Sequence, residues 1–162
     1  MKKDNKSPIK MIVIVIAVIL VLFLTFNLFT KKNIKINVDN SNINFTYSSL
    51  DYKKIEENQN EVKLESKENE IITRAYNNID TKYDVLKEYK KMVYNGEEKQ
   101  YKNVKFLSYN ENENKHVYMA QISENSYVEI IFSKKENSSK SLEDIVNQKN
   151  VQKILDSVKI TK

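Results

Sequence analysis

HVYMAQI over residues 116–122, the tripeptide Glu124-Asn125-Ser126 and YVEIIF over residues 127–132 decide the fold class. Two runs rich in β-branched and aromatic residues, joined by a short polar turn, read as paired antiparallel strands. Upstream, the polar residues 110–115 separate this pair from a further strand around Val104, Phe106, Leu107 and Tyr109. Before that, Val85, Leu86, Tyr89, Met92 and Val93 recur at helical spacing and predict a sheet-covering helix from about residue 81. Thr81 with Asp84 is its expected cap, and Gly96 the expected left-handed stop. Tyr89 on that helix and Ile130 on the last strand are expected core residues.

Further from the hairpin, residues 71–76 (IITRAY) and a strand beginning at Val62 and Leu64 continue the β pattern, while residues 51–61 are mostly polar. Ile34, Ile36 and Val38, then Ile43, Phe45 and Tyr47, alternate with polar residues, the signature of half-buried strands. Downstream, residues 133–141 read as an exposed loop. Ser141 and Asp144 then form a capping pair for a helix carrying Leu142, Ile145, Val146, Val151, Ile154, Leu155 and Val158, with a break near Asn150. Strands, helix, strands, helix give an α+β class in which an antiparallel sheet is packed with helices.

The first fifth of the 162-residue chain differs in kind. Residues 11–24 are all apolar and residues 11–30 carry no charge, which predicts a single-pass transmembrane helix of twenty residues over 11–30. The positive tail, 1–10, with Lys2, Lys3, Lys6 and Lys10 against Asp4, is expected to remain cytoplasmic. Residues 31–33 then read as a juxtamembrane linker and 34–162 as an extracytoplasmic α+β domain, so the expected location is the cell membrane, with the lipid bilayer itself as a partner of 11–30. No small-x-small cleavage pattern follows the span, so a retained signal-anchor is expected rather than a signal peptide.

Composition excludes several classes. The chain has no Cys, one Gly, one Pro and one His. Disulfide frameworks, thiolate metal sites and glycine-rich phosphate loops are therefore absent. Residues 33–162 hold 21 basic and 21 acidic residues, so the overall charge of +5 comes from the N-terminal part and gives no footprint for nucleic acid. His116 stands at a strand start without a nucleophile motif and reads as a partly exposed strand-end residue. Glu111-Asn112-Glu113-Asn114 lacks calcium-loop spacing and reads as a hairpin turn, and Glu56-Glu57 and Glu97-Glu98 as solvated surface. No catalytic, cofactor-binding or metal-binding residue and no cofactor is expected. The ten tyrosines supply aromatic volume in a chain without Trp, and hydroxyl-bearing rings also suit a protein or glycan contact.

NINFTYSSLDYKKIEENQNEVKLES (42–66), a helix after Asp80, YVEIIFSKK (127–135) and VQKILDSVKI (151–160) together resemble PsbP/Mog1-like domains of small anchored or lipoprotein-type bacterial proteins. Phe45-x-Tyr47 matches that family's opening, with Ser48 where Pro is usual, and Ile154-Leu155-Asp156-Ser157-Val158 its last helix. The resemblance implies an α/β/α sandwich and a binding, assembly or accessory role. A cystatin-like or NTF2-like curved sheet is the alternative fold. The Asn-, Lys- and Ile-rich composition is similar to that of proteins from low-GC Gram-positive bacteria. The expected function is thus a membrane-tethered module that binds a protein or cell-envelope partner without catalysis. The alternatives are an accessory subunit of a transport or VirB8-like conjugation complex, and a cell-envelope enzyme.

Overall fold

The computed structural model describes residues 8–38 and 40–162, with backbone only for 8–10 and 27–29. The chain divides into two units, Met1–Lys31 and Lys32–Lys162. The first contains helix α1 (Pro8–Thr30), whose apolar side chains between Met11 and Phe26 are exposed.

The expectation of a transmembrane helix over 11–30 is corrected here: among the described residues no helix is long and apolar enough to cross a membrane. The twenty residues 11–30 are uncharged but not all apolar. Thr25, Asn27 and Thr30 belong to the twenty, and Thr25 turns its hydroxyl back onto the Val21 and Leu22 carbonyls. The unbroken apolar run is residues 11–24, about 21 Å of helix at 1.5 Å per residue, against a hydrocarbon core of roughly 30 Å. The single-pass membrane description and the placement of 34–162 outside the cytoplasm rest on that span and are corrected with it. Residues 1–7 of the tail expected in the cytoplasm lie outside the described residues.

The second unit is a sheet-rich α+β fold with two sheets rather than one. Its elements are β1 (Lys31–Val38), β2 (Ser41–Ser48), β3 (Lys53–Glu57), β4 (Glu61–Glu65), β5 (Asn69–Tyr76), α2 (Tyr83–Tyr94), β6 (Glu97–Gln100), β7 (Lys105–Asn112), β8 (Lys115–Ser123), β9 (Ser126–Lys134), α3 (Leu142–Val146), α4 (Lys149–Ser157) and β10 (Lys159–Thr161). β1 thus begins at Lys31, where a linker is expected from the sequence. Seven strands form one sheet in the order β3-β4-β5-β9-β8-β7-β6, every resolved pairing antiparallel. β1, β2 and β10 form a second, three-stranded sheet. The hairpin of 116–132 sits at the centre of the seven-stranded sheet, with Tyr118 opposite Ile130 and Val117 opposite Ile131.

Period-two alternation divides the large sheet into two faces. On one, Ile71, Tyr118, Val128, Ile130 and Phe132 meet Ile34, Ile36, Phe45 and Tyr47 of the small sheet and Ile154 and Leu155 of α4 in the main core. Each such side chain contributes roughly 1.5–3 kcal/mol when removed from water. The expected Ser141–Asp144 capping box starts α3. α4 does not run on through Val158. Ser157 ends it, donating to the Ile154 carbonyl (2.7 Å) and accepting from the Thr46 amide (2.9 Å), and the chain then pairs with β2 as β10. The other face carries a smaller cluster of Leu107, Tyr109, Val117, Met119 and Tyr127 beneath Tyr83, Leu86 and Tyr94 of α2.

Candidate interaction site on helix α2

α2 departs from its sequence reading in register, caps and face. Lys82, not Thr81, is its N-cap, and no side chain caps it. Asn95 takes the left-handed C-cap conformation at φ 52°, while Gly96 keeps a negative φ. Glycine suits that position for a different reason: a Cβ at position 96 would stand 2.9 Å from Leu107 Cδ1, so the leucine side chain would have to shift. The helix entry is tied to the β8–β9 turn by Tyr83 N–H to the Glu124 carbonyl (2.8 Å), by Ile79 and Asn125, and by a Lys82–Glu124 ion pair.

Tyr83, Leu86 and Tyr94 face the sheet, and only Tyr83 is fully buried. Val85, Tyr89, Met92 and Val93, expected to face the core, point away from it and are 47–74% exposed. At 100° per residue these four fall within an arc of about 100°, one continuous stripe. Among the described residues beyond α1, the other exposed large apolar side chains are Leu50 and Ile55 alone, so the stripe is a local concentration rather than scatter. Asp84 and Glu88, four residues apart and exposed, border one edge of it.

Beneath the inner side lies a tyrosine cluster around a buried carboxylate. Tyr76 stacks on Tyr127 at 4.5 Å, and Tyr94 on Tyr109 at 5.1 Å. The Lys90 ammonium stands 5.2 Å from the Tyr94 ring centre and 5.8 Å from that of Tyr109. Glu129, 8% exposed, accepts from the hydroxyls of Tyr76 (3.1 Å) and Tyr109 (3.5 Å). Burial pushes its carboxyl above the ordinary carboxylate range, and the Tyr76 hydrogen bond opposes that only in part. Burial also holds the Tyr83 hydroxyl up, to about 12.

His116 is not the partly exposed residue expected at a strand end. It is buried on the opposite face, where Nδ1 donates to Asn110 Oδ1 (2.6 Å) and Nε2 accepts from Ser108 Oγ (2.9 Å). An amide oxygen can only accept, which assigns the tautomer. Burial, with Lys99 nearby, lowers its pKa to about 4, so the ring is neutral at pH 7. Serine, imidazole and amide in this order form a hydrogen-bonded chain in which Asn110 orients the ring and Nε2 could accept the Ser108 proton. A nucleophile also needs an open approach. Ser108 is buried, and none of the described cavities of about 320, 340 and 410 Å³ is lined by Ser108, His116 or Asn110. The trio comes together through strand register, Asn110 opposite His116, and no spacing in the sequence signals it.

Glu56, Glu57 and Glu97 are exposed on edge strands. Glu98 pairs with Lys105 and with Lys87 of α2 (3.2 Å), and the Lys105 bond, ahead of Lys87, holds its carboxyl below the usual range. Glu113 and Asn114 form the β7–β8 turn. Among the described residues no group of three or more His, Cys, Asp or Glu side chains is placed to hold a metal ion.

No protein-family model matches the chain, and no curated protein matches it. A crystal structure of a protein from Bacteroides thetaiotaomicron is similar in fold, with a TM-score of 0.50 at 13% identity. The match covers 74% of this chain and 45% of that one, so the chain spans less than half the length of that neighbour. A likeness at this identity concerns the fold alone.

Proposed function

We propose that the second unit is a binding module that docks a protein partner through the outer stripe of α2, without catalytic chemistry of its own. One observation carries this reading: four large apolar residues lie exposed on a single helix face while the apolar residues of the strands beneath are buried or half-buried. A helix that is apolar both toward its own sheet and away from it is suited to lie between two surfaces. The partner that fits presents an apolar groove for Val85, Tyr89 and Met92, with basic groups on the rim opposite Asp84 and Glu88.

The test places a photo-crosslinking amino acid at Met92 of the full chain in its native host, with the same probe at exposed Lys102 as the control. A discrete adduct from position 92, absent from position 102 and lost when Val85→Glu is added, supports the reading. No adduct from position 92, or the same adducts from both positions, overturns it.

A further inference from the structure

Glu129 is the one acidic residue of the large sheet that is buried, and among the described residues it makes no ion pair. The groups that face it come from every neighbouring element. β5 contributes Arg74, directly opposite, and Tyr76; β7 contributes Tyr109 and Glu111; α2 contributes Lys90; Tyr127 lies on its own strand. β8 places uncharged Met119 opposite it. Arg74 is already engaged with Glu61 (2.5 Å), and the Lys90 ammonium rests on two tyrosine rings. The carboxylate therefore has two hydroxyl donors and no ion-pair partner among the described residues, while an ionised group in such a place favours water.

The cover over this site is uneven. The entry of α2 is fastened to the β8–β9 turn, as described above. Its second half is held by the Tyr94–Tyr109 stack, the Lys90 contacts and the Lys87–Glu98 pair, and none of its side chains is fully buried. Tyr109, on which that half rests, is the same residue whose hydroxyl reaches Glu129.

We infer that Glu129 is a proton-operated control on α2: the second half of the helix sits firmly on the sheet while Glu129 carries a proton and loosens when it ionises. Opening admits water to the carboxylate, so the open state holds its proton less tightly than the closed one. Linkage then requires the closed state to lose ground as pH rises. Because the outer stripe rides on the same helix, its presentation to a partner would change with pH. The control itself does not depend on there being a partner.

Amide hydrogen exchange of the full chain tests this. Protection factors for residues 87–94 are taken relative to those of α4, which cancels any global change in stability. From pH 5 to pH 8 the ratio should fall, by at least about twofold, in the parent. It should stay constant in Glu129→Gln, where the isosteric amide cannot ionise. A parent ratio that is constant or rises with pH overturns the inference, as does a parent-like fall in Glu129→Gln.

Discussion

The two faces of the seven-stranded sheet carry the same strands in opposite directions, yet they are built differently. Toward the small sheet, α3 and α4, the side chains are aliphatic or aromatic and sealed, and the polar trio Ser108–His116–Asn110 is neutral and internally hydrogen-bonded. Toward α2, tyrosines predominate, a carboxylate is buried, and the covering helix keeps apolar side chains on its outside. The first face holds the fold together. The second is closed only as far as one lightly seated helix can close it.

Adjacent residues on β9 sharpen this contrast most. Ile130 is fully buried in the main core, and Ile131, half-buried, faces the other way. Ile130→Ala should lower unfolding free energy by about 2–5 kcal/mol. Ile131→Ala should cost about 1 kcal/mol. Equal urea midpoints for the two variants would break the assignment of faces.

The titratable residues should then pull in opposite directions. His116 has a folded pKa of about 4, below the unfolded value of 6.5, so between these pH values the unfolded chain binds a proton that the native state refuses. Its contribution is full above pH 6.5 and is lost as pH falls toward 4, on the order of 3 kcal/mol in all. Glu129 has a raised folded pKa, so its contribution is full at low pH and is lost as pH rises through that value. Urea titrations of the parent and His116→Gln should therefore diverge with increasing pH between 4 and 6.5. A difference independent of pH would show that the ring does not titrate as its burial requires.

The smallest effect belongs to α2. Tyr89→Ala removes a large ring from a position 54% exposed and should change stability by no more than about 0.5 kcal/mol. A loss comparable to that of Ile130→Ala would mean that the helix packs the other way round.

That helix also marks where legibility in the sequence ends. The hairpin of 116–132 and the alternation in β1, β2 and β5 could be read because one side of each strand is buried and the other is less so. β3 (KKIEE) and β6 (EEKQ) could not, since both are sheet edges with every residue exposed and therefore show no alternation. β10 is three residues long and owes its form to Ser157 closing α4. In α2 the apolar residues occupy two sides, and periodicity cannot say which side meets the sheet. The tyrosines settle it, because Tyr83 and Tyr94 can bury rings against Tyr127 and Tyr109 while keeping hydroxyls near polar neighbours. Glu129, inside a strand of apolar residues, was the one signal in the sequence that this second face was unusual. Neither its tyrosine partners nor the His116 trio could be found without strand register.

If the outer stripe of α2 serves contact with another molecule and not the fold, as proposed, the double variant Val85→Glu/Met92→Glu in the full chain should lose the contact and keep the fold. Its urea midpoint should equal that of the parent, because both side chains already stand in water, while the adduct formed through a crosslinker at Tyr89 should disappear. A midpoint lowered as far as that of Ile130→Ala would place the stripe in the core and contradict the account.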